Sequence, residues 1–230
     1  LESAGIHVPE TGAGVIAAIV WERTCLKLRG TRTVTRPERD CPVELIKRLD
    51  LLLGLWGALQ VSDPVRALLF QMRALRLALE AAEPGRLVRV LCAASTSIAF
   101  MGTSKAKRDS DDFVNRATAL NSELAIPEDG VLASTRAINA FIFGRFHEVL
   151  AHANEAERAF RMDAQDDPSG NYNRRLVTAT VRLGALHVVG DYPRLVRELY
   201  ELLEDARATD NRAVELQITY LHTLVEQIQG

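Results

Sequence analysis

Apolar residues recur along this chain at intervals of three and four, in long segments broken by glycine, proline and short polar runs. From Pro64 to Ala82, Leu68, Met72, Leu75 and Leu79 share one helical face, while Asp63 supplies an N-cap and Pro64 the first helical position. Glu83 to Gly85 (EPG) is the stop. A second amphipathic run, Arg86 to about Gly102, follows after so short a connection that the two helices must run antiparallel.

The same grammar returns downstream. Gly130–Phe143 reaches Gly144 and resumes as Phe146–Met162; Arg174–Val189 reaches Gly190 and resumes as Tyr192–Thr209. Between these hairpins and the first, Ser110–Ile126 reads as a helix capped by Ser110, Asp111 or Asp112, and Asp210 opens the helix of a further unit. Aligned on glycine, the turns read Gly85-Arg86-Leu87, Gly144-Arg145-Phe146 and Gly190-Asp191-Tyr192, each followed by an apolar residue at Val90, Val149 or Leu195. A single hairpin leaves its apolar face bare, so repeated pairs of this kind stack on one another.

The N-terminal part is less regular. Gly12–Gly30 fits a buried helix ended by glycine, Thr31–Pro42 a basic loop, and Val43–Val61 another amphipathic helix. A strand in Thr31–Thr35 has no partner elsewhere. The expected fold is all-α: about nine or ten helices in an α-solenoid of stacked antiparallel hairpins, one domain over 1–230, with irregular helices over 1–62 and hairpin repeats over 63–230.

Composition narrows the function classes. A net charge of -2 with 25% charged residues gives no electrostatic case for nucleic acid. Cys25, Cys41 and Cys92 are too few and too widely spaced for a zinc ribbon or a disulfide framework, which suits the cytoplasm. The apolar run Gly14–Trp21 is far short of the ~20 residues that cross a bilayer, so no membrane partner is expected. Leu1 is neither an initiator methionine nor a cap, and Gly230 follows a strongly helical stretch, so the chain reads as a piece of a longer polypeptide.

Candidate chemistry is sparse. Gly144–His152 (GRFHEVLAH) resembles a stretched zinc-protease signature, but that motif needs histidines four apart on one helix face. His147 and His152 are five apart, roughly 140° around a helix at ~100° per residue, and do not chelate one ion. Glu148 lies one turn from His152 and can pair with it, with Glu155 nearby; His7, His187 and His222 are isolated packing or surface residues. Glu10–Gly14 and Gly102–Lys107 lack the spaced glycines, lysine and hydroxyl of a phosphate cradle, and Met101–Asp112 reads as a polar loop between helices in preference to an anion site. Neither a hydrolase elbow nor a kinase triplet occurs, so no catalytic, metal or cofactor residue is assigned and no cofactor is expected. Arg29, Arg32, Arg36 and Arg39 form a basic cluster interrupted by Glu38 and Asp40, read as a solvated loop in preference to a phosphate or acidic-partner site. The acidic, turn-rich Asp163–Asn173 is long for a hairpin connection and is a contact candidate; Cys92 lies on an apolar face and reads as core.

The turns also carry a resemblance. Gly144, Phe146, Val149 and Ala156, and again Gly190, Asp191, Tyr192, Leu195 and Leu202, follow the register of the tetratricopeptide repeat, with Gly85, Leu87, Val90 and Ser97 as a weaker copy. Bulky residues stand at its close-packing positions, and the turns are 46 and 59 residues apart where the family has 34, so the chain is TPR-like. More broadly, Trp21–Gly30, Asp63–Ser95, Ile138–Leu150 and Arg182–Glu215 resemble the helical C-terminal region of large bacterial serine/threonine protein kinases that carry an ATPase module. That resemblance implies a non-catalytic interaction or autoregulatory scaffold in a signalling protein, with any kinase or ATPase residues upstream of this region. Its partner would be a protein, a peptide or another domain of the same chain, met by a concave face whose residues one sequence does not identify. The rival reading is a ligand-sensing helical domain with an enclosed apolar pocket for a small molecule.

Overall fold

The computed structural model describes residues 6–31, 33–60, 62–163, 172–208 and 218–219 of the 230. Among these the chain is all-α: α1 Gly12–Arg29, α2 Val43–Leu59, α3 Pro64–Ala81, α4 Pro84–Ala99, α5 Ser104–Asn121, α6 Asp129–Ile142, α7 Phe146–Asp163, α8 Tyr172–Val189 and α9 Tyr192–Ala208. A single 3-10 turn, Glu38–Asp40, precedes α2, and no strand occurs among the described residues. They fall into two compact units, one up to Thr135 and one from Arg136.

In the first unit α3 is the hub, packing on α1, α2 and α4, while α4 packs along α5. Its apolar stripe is wider than the periodicity implies. Ala67, Leu69, Phe70, Ala74, Leu77 and Ala78 are buried as well as Leu75 and Leu79, because neighbours lie on several sides. Asp63 caps its start, accepting from Arg66 N at 3.0 Å, which holds the carboxyl below its ordinary pKa.

The other end of α3 is closed by the loop that precedes α2. Carbonyls of a last helical turn have no partner within the helix. Here Arg29 Nη2 donates to Leu79 O at 2.8 Å, Thr33 Oγ1 to the same oxygen at 3.1 Å, and Arg36 Nη2 and Nε to Glu80 O and Ala81 O, both at 2.6 Å. Cys41 Sγ reaches Ala81 O at 3.2 Å, and Arg36 N donates to Ala82 O at 2.9 Å. Two members of the basic cluster thus serve as a helix cap, placing positive charge at the negative end of the helix dipole. Arg39 instead faces Asp40 at the surface, and Arg32 lies outside the described residues.

Four local expectations are corrected. α1 is not a buried helix: only Val15 and Glu22 are buried. The EPG segment does not mark the left-handed turn, because Ala82 (φ 57) does. Its N–H bonds Ala78 O at 2.8 Å, and Pro84 and Gly85 already belong to α4, where Glu83 caps Gly85 N and Arg86 N. Of the expected loop Met101–Asp112, only Met101–Thr103 connects helices and the rest is helical. Thr103 caps Ala106 N, α5 starts at Ser104 under Lys105–Asp109 and Lys107–Asp111 pairs one turn apart, and it ends at Asn121. Ser110, read as a cap, is instead buried mid-helix against Ser95 Oγ at 2.9 Å.

The second unit is built from two glycine turns of one kind. Gly144 (φ +72) closes α6 with Gly144 N→Phe141 O at 3.0 Å and Arg145 N→Ala140 O at 2.8 Å. Gly190 (φ +79) closes α8 with Gly190 N→His187 O at 3.2 Å and Asp191 N→Leu186 O at 3.0 Å. Both are Schellman motifs in the same register, and both need a residue without Cβ strain at the left-handed position. The helices that follow bury matching positions: Val149, Ala153 and Phe160 in α7 correspond to Leu195, Leu199 and Ala206 in α9. At the intervening position the register slips by one, from Ala156 to Leu203, which leaves Leu202 half-buried. Ala140, Val149 and Ala185 join α6, α7 and α8 in one core, and α8 approaches α6 so closely that a Cβ on Gly184 would lie 2.8 Å from Phe141 Cε2.

Candidate functional site

Within the second unit α7, α8 and α9 border an open cleft of about 200 Å³. Each helix presents one stripe to it: Glu157 and Arg161 from α7, Arg175, Ala179 and Arg182 from α8, and Glu198, Glu201, Leu202 and Asp205 from α9. Intervals of three and four put these residues on one face of their helices. Leu176, Ala179 and Leu202 give the cleft a small apolar part, and the rest of its lining is charged.

Two carboxylates organise the charge. Glu157 Oε1 accepts from Arg161 Nε at 3.0 Å and from Arg175 Nη2 at 3.2 Å. Burial pushes the Glu157 pKa up, but the Arg161 hydrogen bond and the charges of Arg175, Arg161 and Arg182 outweigh it, and the net direction is down. Glu198 Oε1 accepts from Arg194 Nε at 2.7 Å, and Arg194 Nη2 reaches Asn154 Oδ1 at 3.3 Å, tying α9 to α7. Arg182 Nε stands 2.7 Å from Glu198 Oε2, close enough for a strong ion pair but off the hydrogen-bond direction. Arg175 Nε, Arg182 Nε and Glu198 Oε2 are therefore buried polar atoms that make no hydrogen bond. The chemistry of such a cleft is ion pairing and hydrogen bonding with a charged or polar side chain.

None of these residues was a candidate from sequence. The signal was present as opposite charges one turn apart, Glu157 with Arg161 and Arg194 with Glu198, on α7 and α9. What the sequence does not show is that α7, α8 and α9 turn those stripes toward one another.

The histidine candidates stay apart. His152 Nδ1 faces Glu155 Oε2 at 3.4 Å rather than Glu148, which pairs with Arg145 at 2.7 Å, and His147 is exposed. His187 packs edge-on against Tyr192 across the Gly190 turn, with ring centroids 5.9 Å apart, and the backbone oxygen of His7 accepts from Arg73 at 2.5 Å. Among the described residues no three His, Cys, Asp or Glu side chains are grouped to hold a metal ion. Cys41 and Cys92 are buried and Cys25 half-buried, with no disulfide among them. His222, the helix from Asp210 except residues 218–219, and the contact candidate over 163–173 apart from the helix ends lie outside the described residues. Among the described residues no helix is long and apolar enough to cross a membrane.

Fold and cleft together define an all-α protein with a charged interhelical cleft. Comparison with protein-family models, curated proteins and solved structures gives no match.

Proposed function

We propose that this chain is a TPR-like, non-catalytic interaction module, a scaffold or autoregulatory segment of a larger cytoplasmic bacterial signalling protein of the kinase/ATPase kind, which recognises a charged polypeptide segment. The observation that carries the reading is the cleft of α7, α8 and α9, which is open and lined by charge. A sensor of apolar small molecules calls for an enclosed apolar cavity. Two further features support it: the matched Gly144 and Gly190 turns, 46 residues apart, and the resemblance of the helical run to kinase-associated repeat regions.

The partner side is a basic residue in an extended or helical peptide. Three arginines of the lining are already engaged with Glu157 and Glu198, whereas Glu201 stands exposed on the rim. Selection of a random displayed peptide library on the purified chain tests this. Enriched peptides should carry Lys or Arg and should bind at least tenfold more weakly to Glu201→Lys. Peptides that bind the variant equally well, or a library from which nothing enriches, would count against the cleft. Stabilisation by apolar compounds but not by peptides would favour the sensor.

A further inference from the structure

The first half of α1, up to Trp21, is apolar all round, and a helix of that kind is ordinarily buried on every side. In the structure it is covered on one side only. That side is held by charge: Glu22, 5% exposed, receives Arg73 Nε at 3.2 Å and Arg76 Nε at 2.8 Å from α3. The opposite side exposes Ile16 (58%), Val20 (59%), Trp21 (67%) and Leu28 (84%), with Ala13 and Ala17 exposed among them. At ~100° per residue these fall within one stripe less than half the helix circumference wide, which also holds the exposed Thr24 and Lys27.

We propose that this stripe is a homodimer interface, in which α1 packs antiparallel against α1 of a second copy. Two observations favour a second copy as the occupant, and a third fixes how tightly it binds. The first is size: Gly12 and Ala13 at the N-terminal end of the stripe are small, Leu28 at its C-terminal end is large, and Ile16 and Val20 lie between them. An antiparallel two-fold pairing centred near Val20 sets Leu28 over the partner copy's small end and the reverse, the self-complementarity that a two-fold interface requires. The second is charge. Exposed Glu10 lies just ahead of α1 and exposed Lys27 in its last turn, so the same pairing brings each acid within about a turn of the other copy's base and opposes the helix dipoles. The third is area. Four large side chains more than half bare make a patch of roughly 500 Å², the size class of the largest patches on ordinary monomers. That is below the ~800 Å² per partner of a standard stable interface, which sets the dimer as a weak one, dissociating in the micromolar range.

Sedimentation velocity of the whole chain from about 1 to 200 μM tests the proposal. The weight-average mass should rise from near 25.4 kDa toward twice that value with concentration, while Val20→Glu stays at the monomer value. Val20 is exposed, so this variant should keep its helical circular dichroism. Val20→Cys in a Cys25→Ser background should form a disulfide-linked dimer under mild oxidation, and Glu10→Lys should weaken association several-fold with Lys27→Glu restoring it. A wild-type chain that stays monomeric at 200 μM, a Val20→Glu variant that dimerises like wild type, or adsorption to anionic lipid vesicles without self-association would each overturn it.

Discussion

Arg36 should be among the most stabilising surface residues of the first unit. Its guanidinium donates to Glu80 O and Ala81 O at 2.6 Å each, and its own N–H to Ala82 O at 2.9 Å. Arg36→Ala keeps the backbone bond and removes the other two. A hydrogen bond to a charged group contributes ~1.5–3 kcal/mol when partly buried, and charge at a helix C-terminus adds about 0.3–1 kcal/mol. Water can replace the guanidinium at Glu80 O, where the bond is exposed, and Cys41 Sγ remains near Ala81 O at 3.2 Å as a weak substitute. The net expected loss is about 2 kcal/mol.

Trp21 and Trp56 both lie in the first unit, so their fluorescence in urea reports the unit that Arg36 closes. With a urea slope of ~1–3 kcal/mol/M, the midpoint should fall by about 1 M. Arg36→Lys retains the charge but not the planar fork that meets two successive carbonyls, and should recover less than half of the loss. A midpoint shift under about 0.25 M would refute the capping role, since it implies that solvent satisfies α3 equally well. Full recovery in the Lys variant would show that only the charge matters.

Other perturbations separate conformation from packing. Gly144→Ala and Gly190→Ala meet no atom within 4 Å yet must adopt φ of +72 and +79, so each should cost about 1–2 kcal/mol in thermal or urea unfolding. Gly85→Ala, inside α4 with Glu83 Oε1 its nearest neighbour at 3.3 Å, should be neutral or stabilising by up to ~1 kcal/mol; a loss equal to the other two would restore Gly85 as a turn glycine. Gly184→Ala gains about 1 kcal/mol of helix propensity but drives a methyl to 2.8 Å of Phe141, an overpacking of ~1–3 kcal/mol, so a net loss is expected and Phe141→Leu should relieve it. Glu157 has a folded pKa below its ordinary 4.5, so its ion pairs stabilise fully above that pH and are lost as pH falls through the folded value. Glu157→Gln should lower the melting temperature at pH 7 and flatten its decline below about pH 4.5; an unchanged decline would remove Glu157 from the account.

The helices were legible in the sequence because their signals are local. Asp63 with Pro64, Gly144 and Gly190 fix ends through their own hydrogen bonds and dihedral angles, and α3, α6, α7, α8 and α9 fall within two residues of the expected spans. Where two local signals competed, the stronger cap won and the expectation failed. Ser110 with Asp111 and Asp112 reads as a helix start, but Thr103 caps well upstream and the lysine-aspartate pairs carry the helix past it. Gly85 reads as a turn glycine, but the N-terminal preference of Pro84 and the capping carboxylate of Glu83 draw it into α4 and leave Ala82 to take the left-handed position.

Long-range charge was not legible at all, and it decides what the polar residues do. The arginines of 29–39 look like a surface cluster until α3 is seen to end beside them, and then two become its cap. Glu22 is one of the few charges in an α1 that reads as a buried helix, yet Arg73 and Arg76 draw it inward and an apolar side is left exposed. In both places an ordinary rule of thumb, charge outward and apolar inward, is overruled by a specific partner tens of residues away. The cleft of α7, α8 and α9 follows the same logic, since its arginines come from α7 and α8 and are held by two carboxylates, Glu157 of α7 and Glu198 of α9. Periodicity therefore locates the helices of this protein, and the pairing of its arginines determines which of their faces remain available to a partner.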